Sequence, residues 1–254
     1  MVYPFFEVEN LCKSFGGLKA VDNVSFQVGR DEIVGIIGSN GAGKTTVLKL
    51  IMSILKPDSG SIKFKGKDIT YYPTYKVVNE GIVGTFQTTK PFRHLPIIAN
   101  VIVGCMSSRA LKRGEWVKRV EEKARDALEF CGIVDVALER ASILSQGDLK
   151  RLEVAKAIAT EPELLIIDEP FGGLSPAETN LMANSLRRLH KGGRFGRLHS
   201  EGPAMIIIEH KLEVLMKIVD RVVVLNFGGV IASGLPQEIA KSEVVIQAYT
   251  GGMG

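Results

Sequence analysis

The sequence predicts an α/β protein in which a parallel sheet is combined with a short antiparallel sheet and with a helical insert. Short apolar runs bounded by turn residues are typical of buried parallel strands, and here they alternate with helical patterns. These runs cover residues 33–38, 164–168, 204–208 and 221–225. Between the first two runs, residues from about 91 to 159 have longer helical patterns. This order favours a parallel α/β core interrupted by a helical segment.

The flanking segments complete this prediction. Residues 5–28 alternate in polarity and end in turn residues, so short antiparallel strands are predicted there. A helix is predicted over about 45–55. In the insert, Val117, Val120, Ala124 and Leu128 fall on one helical face. We therefore predict an α/β core with a β-subdomain from 1–87 and 160–254, and a helical subdomain from 88–159. The basic, glycine-rich stretch 190–203 is predicted to be a solvated loop.

Composition restricts the possible classes of protein. The chain has 254 residues, 45% of them hydrophobic, and a formal net charge of +4, which does not argue for a nucleic-acid partner. The mean hydropathy of +0.14 is compatible with a large core or with a surface that docks on something apolar. Neither a signal peptide nor an apolar run approaching the ~18 residues of a membrane span is seen, so a cytoplasmic location is expected. The three separated cysteines form no CxxC pair and indicate free thiols, with no metal site predicted.

A phosphate-binding loop follows the first apolar run. Residues 38–45 read GSNGAGKT and match G-x-x-x-x-G-K-[ST] between a predicted strand and a predicted helix. Backbone N–H groups of such a loop cradle phosphates at a helix N-terminus, Lys44 can reach the β- and γ-phosphates, and the Thr45 hydroxyl can bind Mg²⁺. The segment therefore predicts binding of ATP with Mg²⁺. Its candidate nucleotide-binding residues are Gly38, Ser39, Asn40, Gly41, Ala42, Gly43, Lys44, Thr45 and Thr46.

Two acids follow the second apolar run, LLIIDE. Ligands of open α/β sheets bind at the carboxyl ends of the strands, which is where Asp168 and Glu169 emerge. Asp168 is placed to hold Mg²⁺ directly or through its water, and Glu169 to orient and polarise the attacking water. Together with the phosphate loop, this pair predicts nucleotide hydrolysis.

The segment LSQGD at 144–148 opens a helix shortly before the acidic strand and resembles the LSGGQ signature of ABC ATPases. In that family the signature binds the γ-phosphate held by the other subunit of a dimer. Ser145 can donate a hydroxyl, and Gly147 permits close backbone approach at a helix N-terminus. Gln146 and Asp148 depart from the family pattern. Without the other motifs, Ser145 could equally be an ordinary helix N-cap.

Other elements of the family follow in order along the chain. The resemblance implies that Gln87 contacts Mg²⁺ or the attacking water, that His210 contacts the γ-phosphate, and that Phe15 stacks on adenine. An aromatic residue before Gly-Gly could also belong to the core. Residues 170–176, PFGGLSP, match the D-loop, which crosses the dimer interface, although Ser175 stands where many members have Asp.

The resemblance extends from about residue 7 to residue 251 and is nearest to the ATPases of branched-chain amino acid importers. It rests on the strings GIVGTFQTTKPFRHLPIIANV, LSQGDLKRLEVAKAI and IDEPFGGLSPAET, on a long string that begins IIEHKLEVLM, and on a C-terminal IQAYTGG. It implies a RecA-like P-loop core, a second ATPase subunit that is a copy or a paralogue, and transmembrane permease subunits that hold the chain at the inner face of the membrane. ATPases of this kind also serve urea or amide import and lipopolysaccharide export. An iron–sulfur assembly ATPase and a nucleotide switch without turnover remain alternatives.

Overall fold

The computed structural model describes residues 4–86, 91–106, 117–192 and 202–250. These residues belong to two compact units, one formed by Met1–Val77 with Ala204–Gly254 and the other by Val78–Pro203. The strands are β1 (Phe6–Phe15), β2 (Leu18–Val28), β3 (Ile33–Gly38), β4 (Ser59–Phe64), β5 (Lys67–Asp68), β6 (Ile82–Gly84), β7 (Leu164–Asp168), β8 (Ala204–Ile208), β9 (Arg221–Asn226) and β10 (Gly229–Gly234).

The helices complete the order of elements. They are α1 (Lys44–Ile51), α2 (Thr74–Glu80), α3 (Ile97–Cys105), α4 (Val117–Phe130), α5 (Gln146–Ile158), α6 (Pro176–His190), α7 (Leu212–Ile218), α8 (Pro236–Ile239) and α9 (Glu243–Thr250), with 3₁₀ turns at Val134–Val136 and Ala141–Ile143. No helix among the described residues is long and apolar enough to cross a membrane.

The first unit contains an antiparallel sheet with the strand order β2-β1-β4-β5. The strands β1 and β2 alternate between buried and more exposed residues over much of their length, which matches one face packed on a core. Their pairing register shifts near Asn10, whose φ of 49° is left-handed. The Asn10 N–H donates to Ser25 Oγ at 2.8 Å, so the bulge is satisfied by a side chain. The antiparallel strands expected from the N-terminal pattern are confirmed.

The same unit contains the strands that lead to the phosphate loop, in the order β10-β9-β3-β8. β3 is parallel to both of its neighbours, and β10 is antiparallel to β9. Every residue of β3 and of β8 is buried. Continuous apolar runs belong to strands covered on both faces, and that explains why these segments do not alternate.

The second unit pairs β6 with β7 in parallel and carries α3, α4, α5 and α6. Val120, Ala124 and Leu128 of α4 are buried as their helical spacing predicts. The side chain of Val117 lies outside the described part of the chain. In the same unit, Lys123 and Glu161 form an ion pair at 2.8 Å and both are almost fully buried.

Some boundaries differ from those predicted. The helix predicted to reach residue 55 ends at Ile51, because Ser53 has a left-handed φ of 56° and the N–H groups of Ile54 and Leu55 both turn back to the Lys49 carbonyl. The predicted loop at 190–203 begins where α6 ends, and its residues 193–201 lie outside the described ranges. The division into 1–87 with 160–254 and 88–159 stays a prediction.

Candidate nucleotide site

The phosphate loop joins β3 to α1, which is the context that the motif requires. Gly43 has a φ of 98° and precedes the first residue of α1, Lys44. Lys44 Nζ donates to the backbone carbonyls of Gly38 at 2.7 Å and Ser39 at 2.9 Å. The ammonium group is therefore held against the loop instead of extending into solvent. The remaining motif residues lie in the loop or in the first turn of α1, namely Asn40, Gly41, Ala42, Thr45 and Thr46.

Two loop glycines are required by close backbone approach. A β-carbon on Gly38 would clash with the carbonyl oxygen of Leu225 in β9, and one on Gly43 would clash with the carbonyl oxygen of Ala20 in β2. Both positions also have a φ in the range that side chains rarely adopt. Any larger residue would have to displace backbone, so the loop is packed against two strands of its own unit.

The turn between β9 and β10 supports the same loop through hydrogen bonds. The Gly228 N–H donates to the Ala42 carbonyl at 3.2 Å, and the Gly228 carbonyl accepts from the Asp22 N–H at 2.8 Å. Ser39 Oγ also contacts Asn226 Oδ1 at 3.4 Å. The β9–β10 turn, although distant from the phosphate loop in sequence, therefore stabilises the backbone of the loop.

His210 follows β8, and β8 lies directly beside β3. Ile36 pairs with Ile208, so His210 is at the same end of the sheet as the phosphate loop. The preceding residue, Glu209, is fully buried, and its Oε2 accepts the N–H groups of His210 at 2.8 Å and Lys211 at 2.9 Å. His210 Nδ1 lies 3.8 Å from the same oxygen, and the imidazole is more than half exposed. A buried carboxylate therefore anchors the turn that presents the histidine.

Phe15 ends β1 with 47% of its surface exposed. The Lys13 ammonium lies 5.8 Å from the centroid of its ring. This exposure excludes the alternative in which Phe15 belongs to the core. The ring is accessible to a ligand, and its stacking on adenine stays a prediction.

In the second unit, Asp168 and Glu169 lie at the carboxyl end of the wholly buried strand β7. Asp168 is 3% exposed, and its N–H donates to Thr85 Oγ1 at 3.1 Å, while the Thr85 N–H donates to the Ile166 carbonyl at 2.9 Å. Glu169 has a left-handed φ of 52°, which is uncommon for a residue with a side chain. Such conformations cost about 1–3 kcal/mol and cluster at functional sites.

The signature segment forms the N-terminus of α5. Ser145 is the N-cap: its Oγ accepts the Asp148 N–H at 3.1 Å and donates to Asp148 Oδ2 at 2.7 Å. The N-cap geometry left open by the sequence is thus present. Gly147 packs on the D-loop, where an added β-carbon would lie 3.0 Å from the Gly173 carbonyl and 2.9 Å from Leu174 Cδ2.

The D-loop ends in a second capped helix. Ser175 and Glu178 form a capping box, in which the Ser175 N–H donates to Glu178 Oε2 at 2.8 Å and the Glu178 N–H donates to Ser175 Oγ at 3.4 Å. Hydrogen bonds from the Ser175 side chain and backbone, with the nearby charge of Arg151, lower the pKa of Glu178. Arg151 Nη2 lies 2.7 Å from Glu178 Oε1.

The predicted site residues are divided between the two units. The first unit contains the phosphate loop, Phe15 and His210, and the second contains Asp168, Glu169 and the signature residues Ser145 and Gly147. Gln87 lies outside the described residues. No group of three or more His, Cys, Asp or Glu residues arranged to hold a metal ion is present in the described part of the chain.

The match to a family model decides the family. Residues 21–172, which include the phosphate loop, the signature and the acidic strand, match the family described as ABC transporter. The chain belongs to the ABC transporter family. It is accordingly an ATP-binding protein and an ATPase, and its fold is that of the P-loop ATP-binding cassette.

Relatives within the family align along nearly the whole chain. The high-affinity branched-chain amino acid transport ATP-binding protein LivG of Salmonella typhimurium is 35% identical, with 99% of each chain covered. The corresponding protein BraF of Pseudomonas aeruginosa is 34% identical, again with 99% of each covered. The chain is thus similar to these subunits from end to end and not through the ATPase motifs alone.

Solved cassettes have the same fold. A nucleotide-free ATP-binding cassette from an ABC transporter is 29% identical and superposes with a TM-score of 0.82, covering 97% of this chain and 99% of the other. The ADP conformation of a second cassette is 30% identical, with a TM-score of 0.83 and coverage of 98% and 99%. The phosphate loop of this chain thus belongs to a fold in which nucleotide-bound structures are known.

Reasoning from the sequence missed three residues at the site. Glu209 is buried behind His210, and Arg151 lies between Asp148 and Glu178. The Ser-x-x-Glu pattern of the second helix was a detectable signal for Glu178. Nothing in the local sequence pointed to Glu209 or Arg151, because their roles depend on which atoms the fold brings close.

Proposed function

We propose that this ABC ATPase energises the import of branched-chain amino acids, acting with a second ATPase subunit and with transmembrane permease subunits at the inner face of the membrane. The observation that carries the proposal is the end-to-end similarity to LivG and BraF, whose names assign them to branched-chain amino acid transport. The likeness spans the whole chain and so extends beyond the motifs that all ABC ATPases share.

In this proposal, the first unit binds the triphosphate. The loop N–H groups and the start of α1 receive the phosphates, Lys44 moves from the loop carbonyls to the β- and γ-phosphates, and Phe15 offers its exposed ring to adenine. His210 is presented by the turn that Glu209 anchors and contacts the γ-phosphate. Each of these contacts uses a group that is accessible in the first unit.

The hydroxyl of Thr45 and the carboxylate of Asp168 are oxygen donors of the kind that Mg²⁺ prefers, so these residues, with Gln87, would hold the ion. When bound, Mg²⁺ neutralises charge on the phosphate oxygens. Glu169 accepts the proton of the attacking water as general base, and its unusual backbone conformation fits a residue placed for chemistry.

The second subunit completes the site. The start of α5, with Ser145 and Gly147, faces the γ-phosphate bound by the other subunit, and the D-loop crosses the interface beside it. Binding of two ATP molecules closes the pair, and hydrolysis opens it, so the pair is a two-state element that can drive attached permeases.

A first experiment tests hydrolysis and pairing with Glu169→Gln, which preserves shape and removes the charge. Phosphate release should fall by about 10²–10⁴-fold, and sedimentation should show an ATP-dependent dimer. Glu129→Gln, an exposed glutamate of α4, is the matched control and should retain full turnover. Turnover of Glu169→Gln within a few-fold of the unaltered protein would remove Glu169 from the catalytic role.

A second experiment tests the solute. The chain is reconstituted in vesicles with the permease subunits and the solute-binding protein of its transport system, and both ATP hydrolysis and solute uptake are measured with leucine, isoleucine, valine or urea. Stimulation and uptake with the three branched-chain amino acids is the expected result. Stimulation by urea alone, or by none of the four, would assign the ATPase to a different transport system.

A further inference from the structure

The start of α5, which carries the signature, and the start of α6, which follows the D-loop, are both capped by a serine that bonds to the acid three residues later. α5 begins after Ser145, which bonds to the acid three residues later, Asp148. α6 begins after Ser175, which bonds to the acid three residues later, Glu178. In both cases one carboxylate oxygen is used by the cap, and the other oxygen is turned away from it.

Arg151 lies between these two acids. Its Nη2 is 2.7 Å from Glu178 Oε1, its Nη1 is 3.6 Å from Asp148 Oδ1, and only 15% of its side chain is exposed. The planar guanidinium offers donors in two directions, which a lysine ammonium on a flexible stem cannot reproduce. A single side chain on the second turn of α5 therefore contacts the caps of both helices.

The backbone of the two segments is also in close contact. Gly147 lies on the first turn of α5, and a β-carbon there would be 3.0 Å from the Gly173 carbonyl oxygen and 2.9 Å from Leu174 Cδ2, so these neighbours would have to shift to admit a methyl group. The two helix starts thus touch at Gly147 and are bridged by charge at Arg151. Displacing either start separately would break the bridge and leave a mostly buried guanidinium without one of its carboxylates.

We propose that Arg151 is a positioning residue that holds the signature and the D-loop together as one surface, and that it neutralises Asp148 so that an acid is tolerated beside the γ-phosphate of the partner subunit. The second part rests on the proposed function, in which this helix start faces that phosphate. Neutralisation by Arg151 explains how this chain can carry Asp148 where the family signature has Gln. An unneutralised carboxylate there would repel the triphosphate.

The bridge is tested in the isolated chain by hydrogen exchange. Arg151→Gln removes the charge, and Lys156→Gln is the matched control, because it removes a cation that pairs with Glu153 at 2.8 Å on the same helix. Arg151→Gln should accelerate amide exchange at both helix starts, 145–149 and 175–179, by about tenfold, and the control should change neither. Acceleration at one start only, or at neither, would overturn the bridge.

The neutralisation is tested in the Glu169→Gln background by sedimentation with ATP. Arg151→Gln should weaken ATP-dependent dimerisation by about tenfold or more with ATP affinity of the monomer unchanged. Adding Asp148→Gln should restore most of the dimer, which a merely structural loss would not allow. Weakened pairing without this rescue overturns the neutralisation.

The outcomes separate the inference from the proposed function. If the Glu169→Gln chain forms no ATP-dependent dimer, self-pairing fails and the exchange measurement still decides the bridge. If the dimer forms and Arg151→Gln behaves like Lys156→Gln, pairing stands and the inference is wrong. Should Arg151→Gln fail to fold, Arg151→Lys takes its place in the exchange measurement, because it loses the planar fork that contacts both acids. Arg151→Met, which has no charge, takes its place in the sedimentation measurement.

Discussion

The replacement Gly43→Ala tests whether the phosphate loop is held by the strands around it. Gly43 has a φ of 98°, and a β-carbon there would collide with the Ala20 carbonyl in β2. The left-handed conformation alone costs a residue with a side chain about 1–2 kcal/mol. Relieving the collision requires backbone movement, and overpacking of this kind costs about 1–3 kcal/mol. The expected loss of stability is therefore about 2–5 kcal/mol.

Gly41 provides the matched control within the same loop. Its φ of 83° is also left-handed, but an added β-carbon would have nothing within 4 Å. Gly41→Ala should therefore cost only the conformational term, about 1–2 kcal/mol. Urea unfolding of both variants gives the two free energies of unfolding, and titration with ATP gives the two affinities.

The difference between the variants isolates the collision. Gly43→Ala should unfold at lower urea concentration than Gly41→Ala, and it should bind ATP more weakly because the loop is displaced from Ala20. The nearby carbonyl of Gly228 already accepts the Asp22 N–H at 2.8 Å, so β2 cannot withdraw without losing that bond. Equal stability and equal affinity of the two variants would refute the reasoning.

Three further predictions follow from exposure and burial. Phe15→Ala should weaken ATP binding by about 1–2 kcal/mol. Because the ring is 47% exposed, the free energy of unfolding should change by less than about 0.5 kcal/mol. A lower free energy of unfolding with unchanged ATP affinity would contradict this prediction. Cys12 should be alkylated by iodoacetamide in the folded protein. Cys131 should not react up to pH 9, since burial raises the pKa of its thiol. Peptide mass spectrometry measures the labelling of each cysteine, and equal labelling would contradict the burial of Cys131. Lys123→Met should lower the free energy of unfolding by about 3–5 kcal/mol, because it removes the cation that pairs with the buried carboxylate of Glu161. In urea unfolding, the double variant with Glu161→Gln should recover much of that loss. Additive losses of the two single variants would show that the pair is not coupled.

The sequence by itself determined the features that a short continuous segment can encode. The phosphate loop needs glycines, a lysine and a helix start within eight consecutive residues, so its presence and its chemistry were predictable before any fold was known. The same holds for the buried strand that ends in Asp168 and Glu169. The N-cap at Ser145 was left open by the sequence as one of two alternatives, and the structure shows that it is formed.

Periodicity predicted the kind of secondary structure and the buried face correctly, and it predicted the ends of helices less well. The face formed by Val120, Ala124 and Leu128 is buried as predicted. The end of α1 was wrong by a turn, because the left-handed Ser53 interrupts a sequence whose apolar pattern continues. A pattern reports which face is apolar, whereas the end of a helix depends on where its last carbonyls find partners.

Only the tertiary structure decided which distant groups meet. It placed Phe15 at the surface, the Ala20 carbonyl against Gly43, and the carboxylate of Glu209 under the turn that carries His210. It also brought Glu178 to Arg151 from another helix. Hydrogen bonds and ion pairs act over a few ångströms in space, and separation along the chain does not fix that distance. The sequence therefore determined the chemistry that the loop and the acids can perform, and the fold determined the supports that hold them in place.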